Sequence, residues 1–230
     1  MAGASRVSRC WHAAIAVVVV ASLVIQLALL FAGGADANSG ETGGGVGVRL
    51  WRLFSYFTIE SNLFVLVTAV VLAVRPDHDG RGWRIARLDA LLGILITGLV
   101  YAIVLAPQVH LTGAALVATI GFHYVVPWAT IIGWLVFGPR PRIDWETVLA
   151  AFAWPALWLV YIFTQGVFTD WYPYPFLDVS DIGVGAALRN VVFVVVLAAV
   201  LAVVFKLLDD RLTRTTASPA GDTASIQGHP

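Results

Sequence analysis

Twenty consecutive residues from Ala13 to Ala32, and fifteen from Val191 to Phe205, carry no charged side chain. A bilayer core about 30 Å thick is crossed by roughly 20 mostly apolar residues in a helix. Composition leaves no water-facing surface that could wrap such runs in a soluble domain. Hydrophobic residues make up 59% of the 230-residue chain and charged residues 12%, against about 25% charged in a soluble globule. Mean hydropathy is +0.85. A soluble enzyme, a nucleic-acid binder and a disordered protein are all excluded. The expected fold is an all-α polytopic membrane protein, a bundle of six transmembrane helices.

The apolar stretches fall at about 11–32, 53–74, 88–106, 114–137, 146–165 and 186–206. Gly33–Gly47 reads as a flexible glycine-rich loop, Arg75–Arg87 is charged, and Pro107–Gly113 is a short turn. Gly138-Pro139-Arg140-Pro141-Arg142 holds two helix stops, and an aromatic-rich stretch from Phe168 to Gly185 joins the last two spans. Residues 1–10 form one flank. Residues 207–230 read as a polar, disordered tail.

Arginine and lysine set the orientation. One side collects Arg6, Arg9, Arg75, Arg81, Arg84, Arg87, Arg140, Arg142, Lys206, Arg211 and Arg214, and the other only Arg49, Arg52 and Arg189. The positive-inside rule therefore places both termini in the cytoplasm of a cell-membrane protein. Arg6, Arg9, the first apolar run and Ala35-Asp36-Ala37 imitate a signal peptide. That run is longer than the 7–15 residues of a signal core, so the first span is read as a retained helix.

Net charge is zero, and Cys10 is the one cysteine. No nucleic-acid partner, disulfide framework or multi-cysteine metal site is expected. HExxH, GxSxG, a Gly-rich phosphate loop and an internal repeat are all absent, so no metal or cofactor is implied. Thirteen of the 14 basic residues are arginine, and alanine and valine abound, a bias that resembles high-GC bacterial genomes.

Polar groups inside lipid cost free energy, so they are where function is sought. In the second span Ser55, Thr58, Ser61 and Asn62 share one helical face at i+3 and i+4 spacing. Glu60 lies about 200° around from Thr58 and points elsewhere. In the fourth span Thr119, His123, Pro127 and Thr130 form a second stripe. Pro127 has no N–H for the His123 carbonyl, so the helix is expected to kink or loosen there. Thr58 lies roughly 8 Å, and His123 roughly 13 Å, from the same outer face. The two can meet if their helices touch. The loop carrying Trp171, Tyr172, Tyr174 and Asp178 lies on that side and is positioned to cap them, and Gln108 and His110 are available there too. The plainer readings are a threonine bonded to its own helix, interfacial belt aromatics and a solvated acidic loop.

Phe57-Thr58-Ile59 opening one span, His123-Tyr124-Val125-Val126-Pro127 inside a later one, and Tyr174-Pro175-Phe176-Leu177-Asp178 in the last outer loop occur in that order. Together they resemble the androgen-induced protein family, multi-span membrane hydrolases of fatty acid esters of hydroxy fatty acids. The resemblance covers most of the six-span region and suggests a bacterial relative. It implies a threonine–histidine catalytic pair at Thr58 and His123, and a lipid ester as substrate and partner. The chain departs from the family pattern at Tyr172, where the family has tryptophan, and at Asp178, where it has glutamate. Imidazole is suited to deprotonating a threonine hydroxyl. Asn62 or Ser61 are candidate donors to an oxyanion, and Glu60 is the nearest acid to orient His123. Trp171, Tyr174 and Asp178 are candidate lid or substrate contacts.

Two other classes compete. Glu60 and His123 suit a proton relay or a transporter, because intramembrane ionisable groups mark such pathways. A non-enzymatic scaffold is the reading if the polar groups only join helices.

Overall fold

Within lipid every backbone N–H and C=O has to find its partner inside the protein, and each apolar run does so by closing into a helix. The computed structural model describes residues 2–216, and among them it is helical with no strand. Ten helices follow in chain order: α1 (Ala2–Phe31), α2 (Val46–Ser55), α3 (Phe57–Val74), α4 (Arg81–Val100), α5 (Gly113–Ile120), α6 (Val126–Phe137), α7 (Trp145–Ala151), α8 (Ala153–Thr169), α9 (Val179–Ile182) and α10 (Val184–Thr216). A π-helical turn, Tyr101–Leu105, extends α4, and a second, Gly121–Val125, joins α5 to α6. Six continuous stretches are long and apolar enough to cross a membrane: Arg6–Phe31, Phe57–Val74, Arg81–Leu105, Gly113–Phe137, Trp145–Thr169 and Val184–Thr213.

Four sequence expectations change. The second span starts at Phe57, because Tyr56 is extended (φ −71°, ψ 127°) and separates α2 from α3. Tyr56 is wedged against the Trp171 and Tyr174 rings, 5.7 Å from each. Ser55 therefore ends α2, bonded to the Trp51 carbonyl and the Tyr161 hydroxyl, and does not share the Thr58 face.

The 33–47 loop is built rather than flexible over its first half. Asp36 accepts from the Asn38 backbone N–H at 2.7 Å and from the Gln26 amide at 2.8 Å, while the Gln26 carbonyl takes the Ala37 N–H at 2.7 Å. Arg49 donates to the Leu30 carbonyl (2.8 Å) and to the Gly34 carbonyl, satisfying acceptors that the end of α1 leaves open.

The polar tail also begins later than expected. Helix α10 continues to Thr216, with Lys206 paired to Asp210 and the fully buried Asp209 accepting N–H bonds from Arg142 and Ile143. The rest of that tail, 217–230, lies outside the described residues. Finally, the N-terminal flank is already helical from Ala2, and His12 is buried with its ring bonded to the Ser8 carbonyl.

The fifth span loosens for one residue at Phe152, where Pro155 cannot donate to the Ala151 carbonyl and its ring crowds it. In the fourth span the effect of Pro127 falls on the turn before it. The Val126 N–H reaches back five residues to the Gly121 carbonyl, the wide π-helical bond. Helix α4 crosses here very closely. A Cβ on Gly98 would lie 3.0 Å from the Pro127 ring and 3.1 Å from the His123 carbonyl oxygen. Gly98→Val is expected to push α4 off this turn at a cost of about 1–3 kcal/mol, read as a lower unfolding temperature of the purified protein in detergent. An unchanged temperature would show that the crossing yields freely.

Candidate functional site

Thr58 is the second residue of α3, where a backbone N–H has no partner within its own helix. That N–H donates to the Tyr174 hydroxyl oxygen at 3.1 Å, and the same hydroxyl stands 3.2 Å from the Thr58 hydroxyl. On the other side of Thr58 Oγ1, 3.4 Å away, is Nε2 of His123, carried by the second π-helical turn. The structure thus brings Thr58 and His123 together, both almost fully buried.

Donor and acceptor roles follow from the other ring nitrogen. His123 Nδ1 lies 3.1 Å from the Thr119 carbonyl, which can only accept, so Nδ1 holds the proton and Nε2 offers a lone pair. The chain of bonds then runs one way: Tyr174 O–H to Thr58 Oγ1, Thr58 O–H to His123 Nε2, and His123 Nδ1–H to Thr119 C=O. Burial pushes the Tyr174 phenol up to about 12, so at neutral pH it is a donor. The Tyr101 ring stacks on the imidazole at 3.8 Å between centroids, with 22° between the planes, and fixes its orientation.

Asn62 donates its amide to the Thr58 carbonyl at 2.8 Å and to the Phe122 carbonyl at 3.5 Å, which commits it to holding α3 against the π turn. Ser61 is buried against Gly93, its hydroxyl without a partner. Glu60 accepts the Trp154 indole N–H at 2.7 Å, on the α8 side, so the carbonyl of Thr119 and not this carboxylate orients His123. The Thr119 hydroxyl ties α5 to the Ala37 carbonyl.

Trp171 and Tyr174 are each only 7% exposed, members of the core and not of an aromatic belt. Trp171 packs on Trp51, Tyr56 and the Arg52 guanidinium. Asp178 caps α9, accepting the N–H groups of Ser180 and Asp181, and makes no contact with Thr58. Gln108 bonds to the Val104 carbonyl at the surface, and Thr130 sits with Trp134 and His12 near the arginine-rich end. Of the three lid candidates, Tyr174 alone reaches the site.

A cavity of about 100 Å³, walled mostly by apolar side chains, opens beside Thr58 and Tyr174. Phe57, Trp154, Trp158 and Tyr101 line it near Thr58, and it continues along α4 to Asp89. His123 lies behind Thr58 and Tyr101 and does not line it. Helices α8 and α10 both face the cavity, yet their backbones barely approach one another. Among the described residues no cluster of His, Cys, Asp or Glu is arranged to hold a metal.

Sequence reasoning missed Asp89 and the part played by Tyr174. Asp89 stands next to Arg84 and Arg87, where a charge reads as the flank of a span. The available signal was the stripe Asp89, Gly93, Thr97 and Tyr101, spaced by four along α4. No protein-family model matches this chain, and no curated protein or solved structure matches it either.

Nitrogen NMR of ring-labelled protein tests the assigned directions. His123 is expected as the Nδ1–H tautomer, with Nε2 moving toward a free lone pair in Thr58→Val. A dominant Nε2–H form would reverse the chain and remove the base.

Proposed function

We propose that this protein is an intramembrane ester hydrolase acting on lipids, with Thr58 as nucleophile and His123 as its base. The observation that carries this reading is the buried Thr58 hydroxyl, directed at the free nitrogen of an imidazole whose other nitrogen is fixed by a carbonyl. Nucleophile, base and a third group orienting the base form the arrangement that activates a hydroxyl for acyl transfer. The three-segment resemblance to the androgen-induced protein family supports the same pair.

In the reaction, Thr58 Oγ1 attacks the ester carbonyl carbon while its proton passes to His123 Nε2. The tetrahedral intermediate collapses, the C–O bond to the alcohol breaks, and His123 returns the proton to the departing alkoxide. Water, deprotonated by the same nitrogen, then attacks the acyl-threonine and releases the acid and Thr58. Tyr174 O–H stands beside the cavity and turns from Oγ1 to the oxygen that gains charge, the part first sought in Asn62 and Ser61. The separation of 3.4 Å is at the long end for such a bond, as unliganded catalytic pairs often are.

The gap between α8 and α10 suits a lipid entering sideways. With the arginine-rich end in the cytoplasm, as the positive-inside rule places it, the site lies in the outer half of the bilayer of a bacterial cell membrane. For a relay or transporter, Glu60 would have to share a path with His123. Its indole bond keeps it on the α8 side, and it does not line the cavity.

The test is hydrolysis of a panel of long-chain esters by purified protein in detergent. Thr58→Ala and His123→Ala are each expected to lower kcat by at least about 100-fold. Tyr174→Phe is expected to lower it by roughly 10–100-fold. Activity retained by folded Thr58→Ala would overturn the assignment.

A further inference from the structure

Asp89 is a carboxylate with nothing to hold it. It is 5% exposed, Oδ1 has no hydrogen-bond partner, and none of the ion pairs among the described residues includes it. Burying such a group without a partner costs several times the worth of an ordinary hydrogen bond, so one that only served packing would be better replaced by leucine. Yet Asp89 is not packed away in the core. It faces the cavity that holds Thr58.

The rest of the cavity wall shows what the carboxylate is placed to meet. Asp89, Gly93, Thr97 and Tyr101 fall at steps of four on the face of α4 that lines it. Gly93 lets Ser61 and Trp154 close on α4, within 2.8–3.1 Å of where its Cβ would stand, and the Thr97 hydroxyl is also without a partner. The other walls near Asp89, including Leu92, Ala151, Phe152 and Ala198, are apolar. A mostly apolar cavity with an unpartnered carboxyl toward one end fits an alkyl chain that carries one hydrogen-bond donor.

The register gives the length of that chain. Ser61 lies level with Gly93, since a Cβ there would stand 2.8 Å from its hydroxyl. Thr58 is three residues from Ser61 toward one end and Asp89 four residues from Gly93 toward the other, which separates them by about 10 Å along the axis. That distance corresponds to a chain of roughly eight to ten carbons.

We propose that Asp89 is a specificity-determining residue, and that the ligand of this cavity is a medium-length alkyl chain bearing a hydroxyl group at its far end, which donates to the Asp89 carboxyl. The inference deepens the hydrolase reading, with the ester at Thr58 and the hydroxyl at Asp89. The hydroxyl also explains why an acid tolerates this position, because binding supplies the partner that the protein withholds.

Binding and turnover are measured separately, so that the two ideas fail separately. Quenching of tryptophan fluorescence, to which Trp154 and Trp158 in the cavity wall contribute, reports binding of decanediol and of undecanol, which has a methyl in place of the second hydroxyl. Wild-type protein is expected to bind decanediol roughly tenfold more tightly. Asp89→Leu should abolish or reverse that preference, and Asp89→Asn should retain much of it. Equal binding of the two alcohols by wild type, or failure to bind either, overturns the proposal whatever the variants do.

Turnover of the p-nitrophenyl esters of hydroxydecanoate (terminal hydroxyl) and undecanoate supplies the second arm. A diol preference without hydrolysis of either ester removes the hydrolase reading and leaves the binding site standing. Hydrolysis of both esters at equal kcat/KM, with no preference in binding, does the reverse.

Discussion

The arrangement depends on one backbone N–H. A helix that starts inside a membrane protein exposes unpaired donors where no water can satisfy them. Helix α3 starts in this way because Tyr56 interrupts the path from α2, and the Tyr174 hydroxyl meets the donor of Thr58. Satisfying it draws the aromatic loop between α8 and α9 inward and buries Trp171 and Leu177 with it. The same phenol then lies against the Thr58 side chain. A requirement of folding has set a hydrogen-bond donor next to a hydroxyl that an imidazole contacts from the other side.

The imidazole is held by a different device. Pro127 removes one rung of the α-helical ladder, and the turn ahead of it widens to π geometry, with His123 at its middle. Close approach at Gly98 and the stacked Tyr101 ring fix α4 against that turn. Tyr101 itself opens the other π-helical turn, so both rings of the stack come from widened backbone. Thr58 and His123, 65 residues apart in the chain, meet through packing of α3 and α4 on this one irregular segment.

Much of the fold was legible in the sequence because lipid enforces it. Length and hydropathy mark the six spans, with the largest differences, seven residues, at the start of the third and the end of the sixth, and Pro127 announced that the fourth would loosen. The break at Tyr56 was hidden because Leu53 and Phe54 continue the apolar run; only their three-dimensional partners show where the chain turns. The network around Asp36 was hidden for the opposite reason. Glycines on both sides of it suggest a slack loop, whereas Gln26, ten residues earlier and itself in lipid-spanning helix, is what fixes the acid. At the site, Thr58 and His123 were readable as polar residues at similar depth. The work of Tyr174 was not, since a loop tyrosine beside a membrane reads first as an interfacial anchor.

A π-helical turn is, in effect, an α-helix carrying one residue too many. Removing Gly121, Phe122, Tyr124 or Val125 would let the segment relax to ordinary α geometry, with α5 and α6 keeping their mutual orientation while the widened turn that carries His123 disappears. His123 would swing away from Thr58 while the span kept its hydropathy and its length within one residue. This stretch therefore tolerates substitution far better than insertion or deletion. In any relatives that share the site, the spacing from Thr119 to Pro127 should be fixed to the residue even where the side chains between them drift.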